Sequence, residues 1–384
     1  MSRSDNYPTL SEEMQHGLAA PICLTWELTY GCNLSCIHCL SSSGRRDPNE
    51  LSTQEALNLV DEFRAMGIFY INIGGGEPTM RKDFREILYR ASDVGIGVKF
   101  STNGYFIDDN FARELASLDY TDVQISLDGF DQASNDAIRG AGSYERAIAA
   151  MESLSSAGKT GFKISTTVNR HNADRLDDLL SLANHYNAQL RVTRLRPSGR
   201  GALVWNDLRL EPSQQRSLFE WLSENPGVLT GDSFFHLSPF GDPLPGLNMC
   251  GAGKVVCLVD PVGDVYACPF TIHESFRAGT VRSSGGFKAV WSDSPYFESL
   301  RQDKSPSSCN DCSAYQSCQG GCMAAKYFTG LDLHGPDPEC VFGRGETNLK
   351  FVTSRPTPDL SHSRRVRTAK PVVLRRHASE PFAT

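Results

Sequence analysis

Apolar runs alternate with helical stretches along the first 225 residues, and this alternation constrains the fold more than any other feature of the chain. The runs at 22–28, 68–73, 97–101, 122–127, 162–168 and 189–195 have the length and composition of buried strands. Between them, apolar residues at helical spacing predict helices over 52–66, 82–94, 108–118, 144–157 and 173–187, and one more over 213–224. Ser52 followed by Glu55 reads as a capping box that starts the first helix, and Gly67 stops it. Strands regularly separated by helices make a parallel sheet with the helices outside. Six such units are too few to close an eight-stranded barrel. The expected class is therefore α/β, and the count of six fits a partial, TIM-like (β/α)6 barrel.

The first strand runs directly into Cys32-Asn-Leu-Ser-Cys36-Ile-His-Cys39. Strand ends are where α/β sheets and barrels carry their chemistry. Three thiolates on one short loop can hold three irons of a [4Fe–4S] cluster, leaving the fourth iron for a small molecule. Zinc is the rival occupant, with His38 as a fourth ligand, although structural zinc loops usually pair one CxxC with a distant second.

The chain has 384 residues, 40% hydrophobic and 22% charged, an ordinary globular composition long enough for two domains. A formal charge of −7 argues against a general nucleic-acid or membrane-surface binder. Residues 1–20 form a short polar arm without the apolar core of a secretory signal. No run reaches the ~18 apolar residues of a spanning helix. Twelve cysteines in such a chain read as metal or redox ligands rather than disulfides, and the expected compartment is the cytoplasm.

Further strand ends carry polar groups. Gly75-Gly76-Glu77-Pro78 follows the second strand, Ser101-Thr102-Asn103-Gly104 the third and Ser126-Leu127-Asp128-Gly129 the fourth. Glycines allow close backbone approach to a ligand, and a carboxylate can receive an ammonium group. Together with the Cys-x3-Cys-x2-Cys loop these motifs resemble the radical S-adenosylmethionine (SAM) enzymes, whose fold is a partial (β/α)6 barrel. The resemblance implies that Cys32, Cys36 and Cys39 hold the catalytic cluster and that SAM chelates its open iron. It implies that Gly75, Gly76 and Glu77 meet the amino group of SAM. Asn103, Ser126 and Asp128 are expected at its ribose and carboxylate. His38 takes the aromatic position of the motif, with the adjoining main chain facing adenine. One electron from the cluster then cleaves SAM, and the 5′-deoxyadenosyl radical takes a hydrogen atom from the substrate. Arg139, Arg194 and Arg196 are candidates for a carboxylate of SAM or substrate, or are structural.

Past residue 225 Gly and Pro rise, the helical period stops and cysteines return as Cys250, Cys257, Cys268, Cys309, Cys312, Cys318, Cys322 and Cys340. Eight thiolates suffice for two four-cysteine clusters, with two zinc ribbons as the rival. The spacing resembles the SPASM extension of radical SAM enzymes that modify peptides and proteins. That resemblance implies two auxiliary [4Fe–4S] clusters, one on Cys250, Cys257, Cys268 and Cys322, the other on Cys309, Cys312, Cys318 and Cys340. With the SAM-binding cluster the total is three. Cys23 is left over as a packing residue. The domains expected are the arm (1–20), a radical SAM core (21–225), a SPASM domain (226–345) and a basic, disordered tail (346–384) containing Arg364, Arg365, Arg367, Lys370, Arg375 and Arg376.

Within that family the stretches Trp26-Glu-Leu-Thr-Tyr30-Gly-Cys32, Cys268-Pro-Phe-Thr-Ile-His273-Glu274 and Gln319-Gly-Gly-Cys322 look most like the mycofactocin maturases. The resemblance implies action on a small ribosomal peptide ending in Val-Tyr. Its C-terminal Tyr is oxidatively decarboxylated and then joined to Val by a C–C bond. An electron donor and a separate small leader-binding protein are the implied partners, the arm being too short to recognise a leader. A haem or tetrapyrrole maturase shares the cysteine pattern and is the enzymatic alternative. A sulfatase-type maturase should carry an aspartate where Pro269 stands. A non-catalytic iron–sulfur carrier would leave the strand-end SAM motifs unexplained.

Overall fold

The computed structural model describes residues 14, 16–230, 234–242, 244, 250–302 and 307–363. The six apolar runs form β1 (Cys23–Glu27), β2 (Tyr70–Gly74), β3 (Gly97–Thr102), β4 (Thr121–Ser126), β5 (Lys163–Val168) and β6 (Gln189–Arg194). They pair in parallel in chain order. The helices are α1 (Thr53–Ala65), α2 (Phe84–Asp93), α3 (Asp109–Ser117), α4 (Gln132–Arg139), α5 (Ser143–Ser156), α6 (Leu176–His185), α7 (Gly201–Leu208) and α8 (Pro212–Glu224). The capping box at Ser52 and Glu55 is present. Sequence periodicity missed α4 and α7. α4 is polar and buries only Asn135 and Ile138. α7 begins at Gly201, within a Gly199-Arg200-Gly201 run that reads as a turn.

Successive strand side chains point to opposite faces. Leu24, Trp26, Ile71, Ile73, Val98, Phe100, Val123, Ile125, Leu190 and Val192 form one apolar face, buried under the helices. Ser101, Gln124, Ser126, Ser165, Thr167, Arg191 and Thr193 occupy the alternate positions and face a central cavity. A polar lumen is unfavourable in an empty fold and suits a polar ligand.

The distal half continues the same sheet. β7 (Val256–Val259) pairs in parallel with β1, and β8 (Asp264–Tyr266) and β9 (Arg277–Thr280) follow antiparallel, giving the order β6-β5-β4-β3-β2-β1-β7-β8-β9. Around them lie α9 (Gly286–Asp293), α10 (Pro295–Gln302), α11 (Tyr315–Cys318), α12 (Met323–Thr329) and α13 (Arg344–Leu349). Phe287 of α9 meets Phe63 of α1 edge-on at 5.1 Å, and Phe63 meets Trp26 at 5.7 Å, so one aromatic chain crosses from core to extension.

The expectation of a disordered tail from residue 346 needs correction. Residues 346–349 belong to α13, and 352–363 return to the cysteine loop. This segment is held by backbone and polar contacts and one stacked imidazole, none of which leaves an apolar pattern in the sequence. Residues 364–384, with their arginines, and most of the N-terminal arm lie outside the described residues. Among the described residues no helix is long and apolar enough to cross a membrane.

Candidate active site

The cysteine loop is anchored at both ends. Glu50 accepts from Thr29 Oγ1 at 2.9 Å, from the Tyr30 N–H at 2.8 Å and from Arg46 Nε at 2.7 Å. Arg200, just past β6, reaches across the barrel mouth and donates to the carbonyls of Cys36 and Ser43, each at 2.8 Å. Its own N–H meets the Cys39 carbonyl at 2.9 Å. A Cβ on Gly199 would lie 2.4 Å from the Leu40 carbonyl oxygen, so only glycine admits this contact. Sequence reasoning missed Arg200. The signal available was the Ser198-Gly199-Arg200-Gly201 run at a strand end.

The glycines after β2 serve a second close approach. Gly75 has φ +113°, and a Cβ on Gly76 would sit 2.1 Å from the Gly31 carbonyl oxygen. Gly76 and Glu77 donate their N–H groups to Thr29 and Gly31 at 2.6 and 2.8 Å. The second strand end is thereby clamped to the entry of the cysteine loop. The Glu77 carboxylate is buried and accepts from Thr102 Oγ1 at 2.8 Å and the Asn103 N–H at 2.7 Å. Burial pushes Glu77 up against the pull of these donors. The Asn103 amide donates to Asn33 of the cysteine loop at 2.8 Å.

Asp128, expected at SAM, does not line the cavity. Its Oδ2 lies 2.8 Å from His38 Nε2 and 2.7 Å from Arg139 Nε, and its Oδ1 accepts from the Thr167 N–H at 2.7 Å. Burial disfavours the charge, but Arg139 and His38 outweigh it and hold the carboxyl well below the usual range. Asp128 thus orients two residues that do line the cavity. Arg194 is likewise occupied, bound by Asp337 and Glu339. Arg196 stacks on Phe270 at 3.9 Å, with Nη1 3.9 Å from Cys322 Sγ.

One cavity of about 290 Å³ is lined by Cys32, Cys36, His38, Cys39, Gly75, Gly76, Glu77, Asn103 and Ser126, together with Arg139, Arg194, Arg196, Arg200 and Phe270. The residues present fit a cluster with SAM. Three thiols of one loop open into the space. Two of its buried oxygens, Glu27 Oε2 and Gln124 Oε1, have no hydrogen-bond partner among the described residues. Burial, reinforced by Asp260, pushes Glu27 up to about 8. Burial also pushes Cys32 up to about 12 and Cys36 to about 11, so metal must draw off their protons to make them ligands.

The distal cysteines divide unequally. Cys309, Cys312, Cys318 and Cys340 line one small pocket. Cys250, Cys268 and Cys322 lie within electrostatic reach of one another. Cys257 does not join them. It sits in β7 in register with Leu24, inside the apolar core, and its ionisable neighbours are Cys23 and Arg301.

The returning C-terminal segment closes over the outside of the cysteine loop. The His362 ring stacks on Tyr30 at 3.8 Å with an interplanar angle of 8°, and its Nε2 lies 2.9 Å from Asp47. The His362 carbonyl accepts from the Arg45 N–H at 2.7 Å, and Ser363 Oγ donates to Ser42 O at 3.0 Å. Replacing His362 by alanine removes a stack and a partly exposed hydrogen bond to Asp47, worth about 1 kcal/mol together. Local opening of the loop should rise about fivefold. The expected result is faster bleaching in air of the cluster on this loop, followed by electron paramagnetic resonance, with the distal clusters unaffected. Equal bleaching of both kinds would refute the role.

The thiol loop at the end of the first parallel strand, the glycine strand end clamped to it and the polar lumen beneath are the site of a radical SAM enzyme. The family model of the Radical SAM superfamily matches residues 26–183, and the SPASM model, an iron–sulfur cluster-binding domain, matches residues 250–313. The "Mycofactocin maturase MftC" of Mycobacterium tuberculosis is 57% identical over 370 residues, 96% of this chain and 95% of that protein. An "AdoMet-dependent heme synthase" of Methanosarcina barkeri is 28% identical over 85% of this chain and 98% of its own length. Among solved structures, Streptococcus suis SuiB bound to the precursor peptide SuiA superposes with a TM-score of 0.71 at 17% identity, covering 88% of this chain and 83% of that one, which shows the shared fold. The chain belongs to the mycofactocin maturase family of radical SAM/SPASM enzymes. Its cofactors are [4Fe–4S] iron–sulfur and SAM.

Proposed function

We propose that this enzyme matures a small ribosomal precursor peptide ending in Val-Tyr, in mycofactocin biosynthesis. It removes the carboxyl group of the C-terminal Tyr oxidatively and then joins Val and Tyr by a C–C bond. The observation that carries this reading is the 57% identity to a mycofactocin maturase along almost the whole of both chains. When bound, the cluster supplies the electron that cleaves SAM, and the radical so formed takes a hydrogen atom from the peptide. The protein's own part is positional. Cys32, Cys36 and Cys39 hold the catalytic cluster. Gly75, Gly76, Glu77, Asn103 and Ser126 hold SAM. Asp128 fixes His38 and Arg139 at the cavity wall. Two auxiliary clusters, when bound, would offer an acceptor for the electron left by substrate oxidation. One lies on Cys309, Cys312, Cys318 and Cys340, the other on Cys250, Cys268 and Cys322, a site with three thiols once Cys257 is assigned to the core. The enzyme works in the cytoplasm, with an external electron donor and a separate leader-binding protein that delivers the peptide end.

Mass spectrometry of a Val-Tyr-ending peptide incubated with reconstituted enzyme, SAM, reductant and the partner tests this. The expected product has lost CO2 and two hydrogen atoms, with one 5′-deoxyadenosine per event. A second turnover gives a cross-link without further mass change. An unaltered peptide alongside decarboxylation of a tetrapyrrole would assign the enzyme to the haem-maturase branch.

A further inference from the structure

One carboxyl faces the reaction space without a task in holding the fold. Glu27 ends β1, in register with Gly74 of β2. Trp26 turns into the core, so its neighbour Glu27 turns into the lumen, where it lines the cavity. It stands against the glycine strand end, since a Cβ on Gly75 would fall 3.2 Å from Glu27 Cβ. Glu27 is 5% exposed, and its Oε2 has no hydrogen-bond partner among the described residues. A buried carboxyl oxygen left unsatisfied is unfavourable unless a bound molecule meets it. Burial, with the charge of Asp260 behind it, favours the protonated form of this carboxyl. Asp260 is itself engaged, by the Tyr30 hydroxyl at 2.8 Å and the N–H groups of Val262 and Asp264 at 3.0 and 2.8 Å.

The other ionisable side chains of the cavity are committed elsewhere. Glu77 accepts from Thr79 Oγ1 at 2.6 Å, Thr102 Oγ1 at 2.8 Å and the Asn103 N–H at 2.7 Å, so three donors hold it as an acceptor. His38 Nε2 meets Asp128 at 2.8 Å. The three thiols are the proposed cluster ligands, and guanidinium groups do not release protons at working pH.

The reaction proposed above needs a proton in its second event. A hydrogen atom leaves Val for 5′-deoxyadenosine, yet the mass of the peptide does not change. The Val radical adds to the alkene that decarboxylation leaves. A C–C bond forms, the π bond breaks, and the unpaired electron remains on the other alkene carbon. Closing that shell takes one electron and one proton. The electron comes from a one-electron reductant, the class of donor that SAM cleavage already requires. We propose that Glu27 is the proton donor of this event, delivering its carboxyl proton to the carbon radical that cross-linking leaves on the former Tyr. Glu27 is left as the carboxylate and is reprotonated from solvent between turnovers. The inference rests on the peptide-maturase reading and adds the group that completes its second half.

The test uses reconstituted holoenzyme with its leader-binding partner, SAM, reductant and a Val-Tyr-ending peptide. Decarboxylated and cross-linked peptides have equal mass and are counted separately by their fragmentation. Their ratio corrects for any general loss of activity, and iron content equal to wild type shows that a variant is folded. Glu27→Gln keeps the volume and removes the acid. Its ratio of cross-linked to decarboxylated peptide should fall about 100-fold, the low end of what a placed general acid contributes. Glu27→Asp keeps an acid and should give a ratio at least about tenfold above that of Glu27→Gln. In D2O, wild type should place one carbon-bound deuterium in each cross-linked peptide and none in the decarboxylated one. A ratio in Glu27→Gln equal to wild type, or equal ratios in the two variants, overturns the proposal. A cross-link without deuterium overturns it too, since the hydrogen then returns from 5′-deoxyadenosine. Equal loss of both products with weakened SAM binding gives Glu27 to SAM and also overturns it. Failure of the peptide-maturase reading looks different, because wild type then forms neither product.

Discussion

A variant with Cys32, Cys36 and Cys39 all replaced by alanine is expected to make no 5′-deoxyadenosine from SAM. With the proposed three clusters, its iron should fall from about twelve to about eight atoms per chain. The three thiols open into the same cavity as the glycine strand end, and the distal cysteines lie outside it. Cys257→Ala is the informative companion. Cys257 is packed in the apolar core in register with Leu24, and the ionisable groups that act on it are Cys23 and Arg301 rather than Cys250, Cys268 or Cys322. It should keep the full iron complement, whereas Cys322→Ala should lose about four. Iron analysis and electron paramagnetic resonance read both effects. A triple variant that still cleaves SAM would remove the catalytic assignment, and zinc in the distal half would remove the auxiliary clusters.

Arg194→Met is expected to give the largest loss of stability of any single change at the junction. Arg194 ends β6, and its guanidinium meets Asp337 at 2.5 and 2.9 Å and Glu339 at 2.6 and 2.9 Å, all three side chains being almost wholly buried. Arg194 outweighs burial and holds the Asp337 carboxyl well below its ordinary range. Glu339 stays raised, since burial dominates there. Removing the cation leaves two buried carboxylates without it, at about 3–5 kcal/mol. Asp337 also accepts the Cys322 N–H at 2.8 Å, so the auxiliary site should loosen with it. Anaerobic urea unfolding followed by tryptophan fluorescence should show the loss. Adding Asp337→Asn and Glu339→Gln should recover much of it by removing the stranded charges. An unchanged urea midpoint for Arg194→Met would show that the triad does not tie the two halves together.

Residue pattern alone determined the barrel and the outline of its site. Periodicity suffices for β1–β6 and most of their helices because a strand buried on one face and a helix buried along one stripe must repeat at their own periods. The cysteine loop and the glycines after β2 were legible because their chemistry needs local spacing, three thiols on one loop and a backbone without Cβ atoms. The polar helix α4 carries too little apolar pattern to show, and α7 is short and opens on a Gly-Arg-Gly run that reads as a turn. Contacts between distant segments were decided by tertiary structure. Asp128 was expected at SAM from its place at a strand end. The fold instead sets it between His38 and Arg139, with residues from three segments meeting at one carboxylate. Cys257 fits a ligand spacing in one dimension, but the alternation of β7 turns it into the core beside Leu24. Arg200 and His362 hold the cysteine loop from 164 and 315 positions along the chain from Cys36 and Asp47, respectively, and no local pattern marks such partners. Spacing along the chain reports groups that act through their neighbours in sequence. Groups brought together by the closing of a barrel and the return of a tail are seen only when the chain is folded.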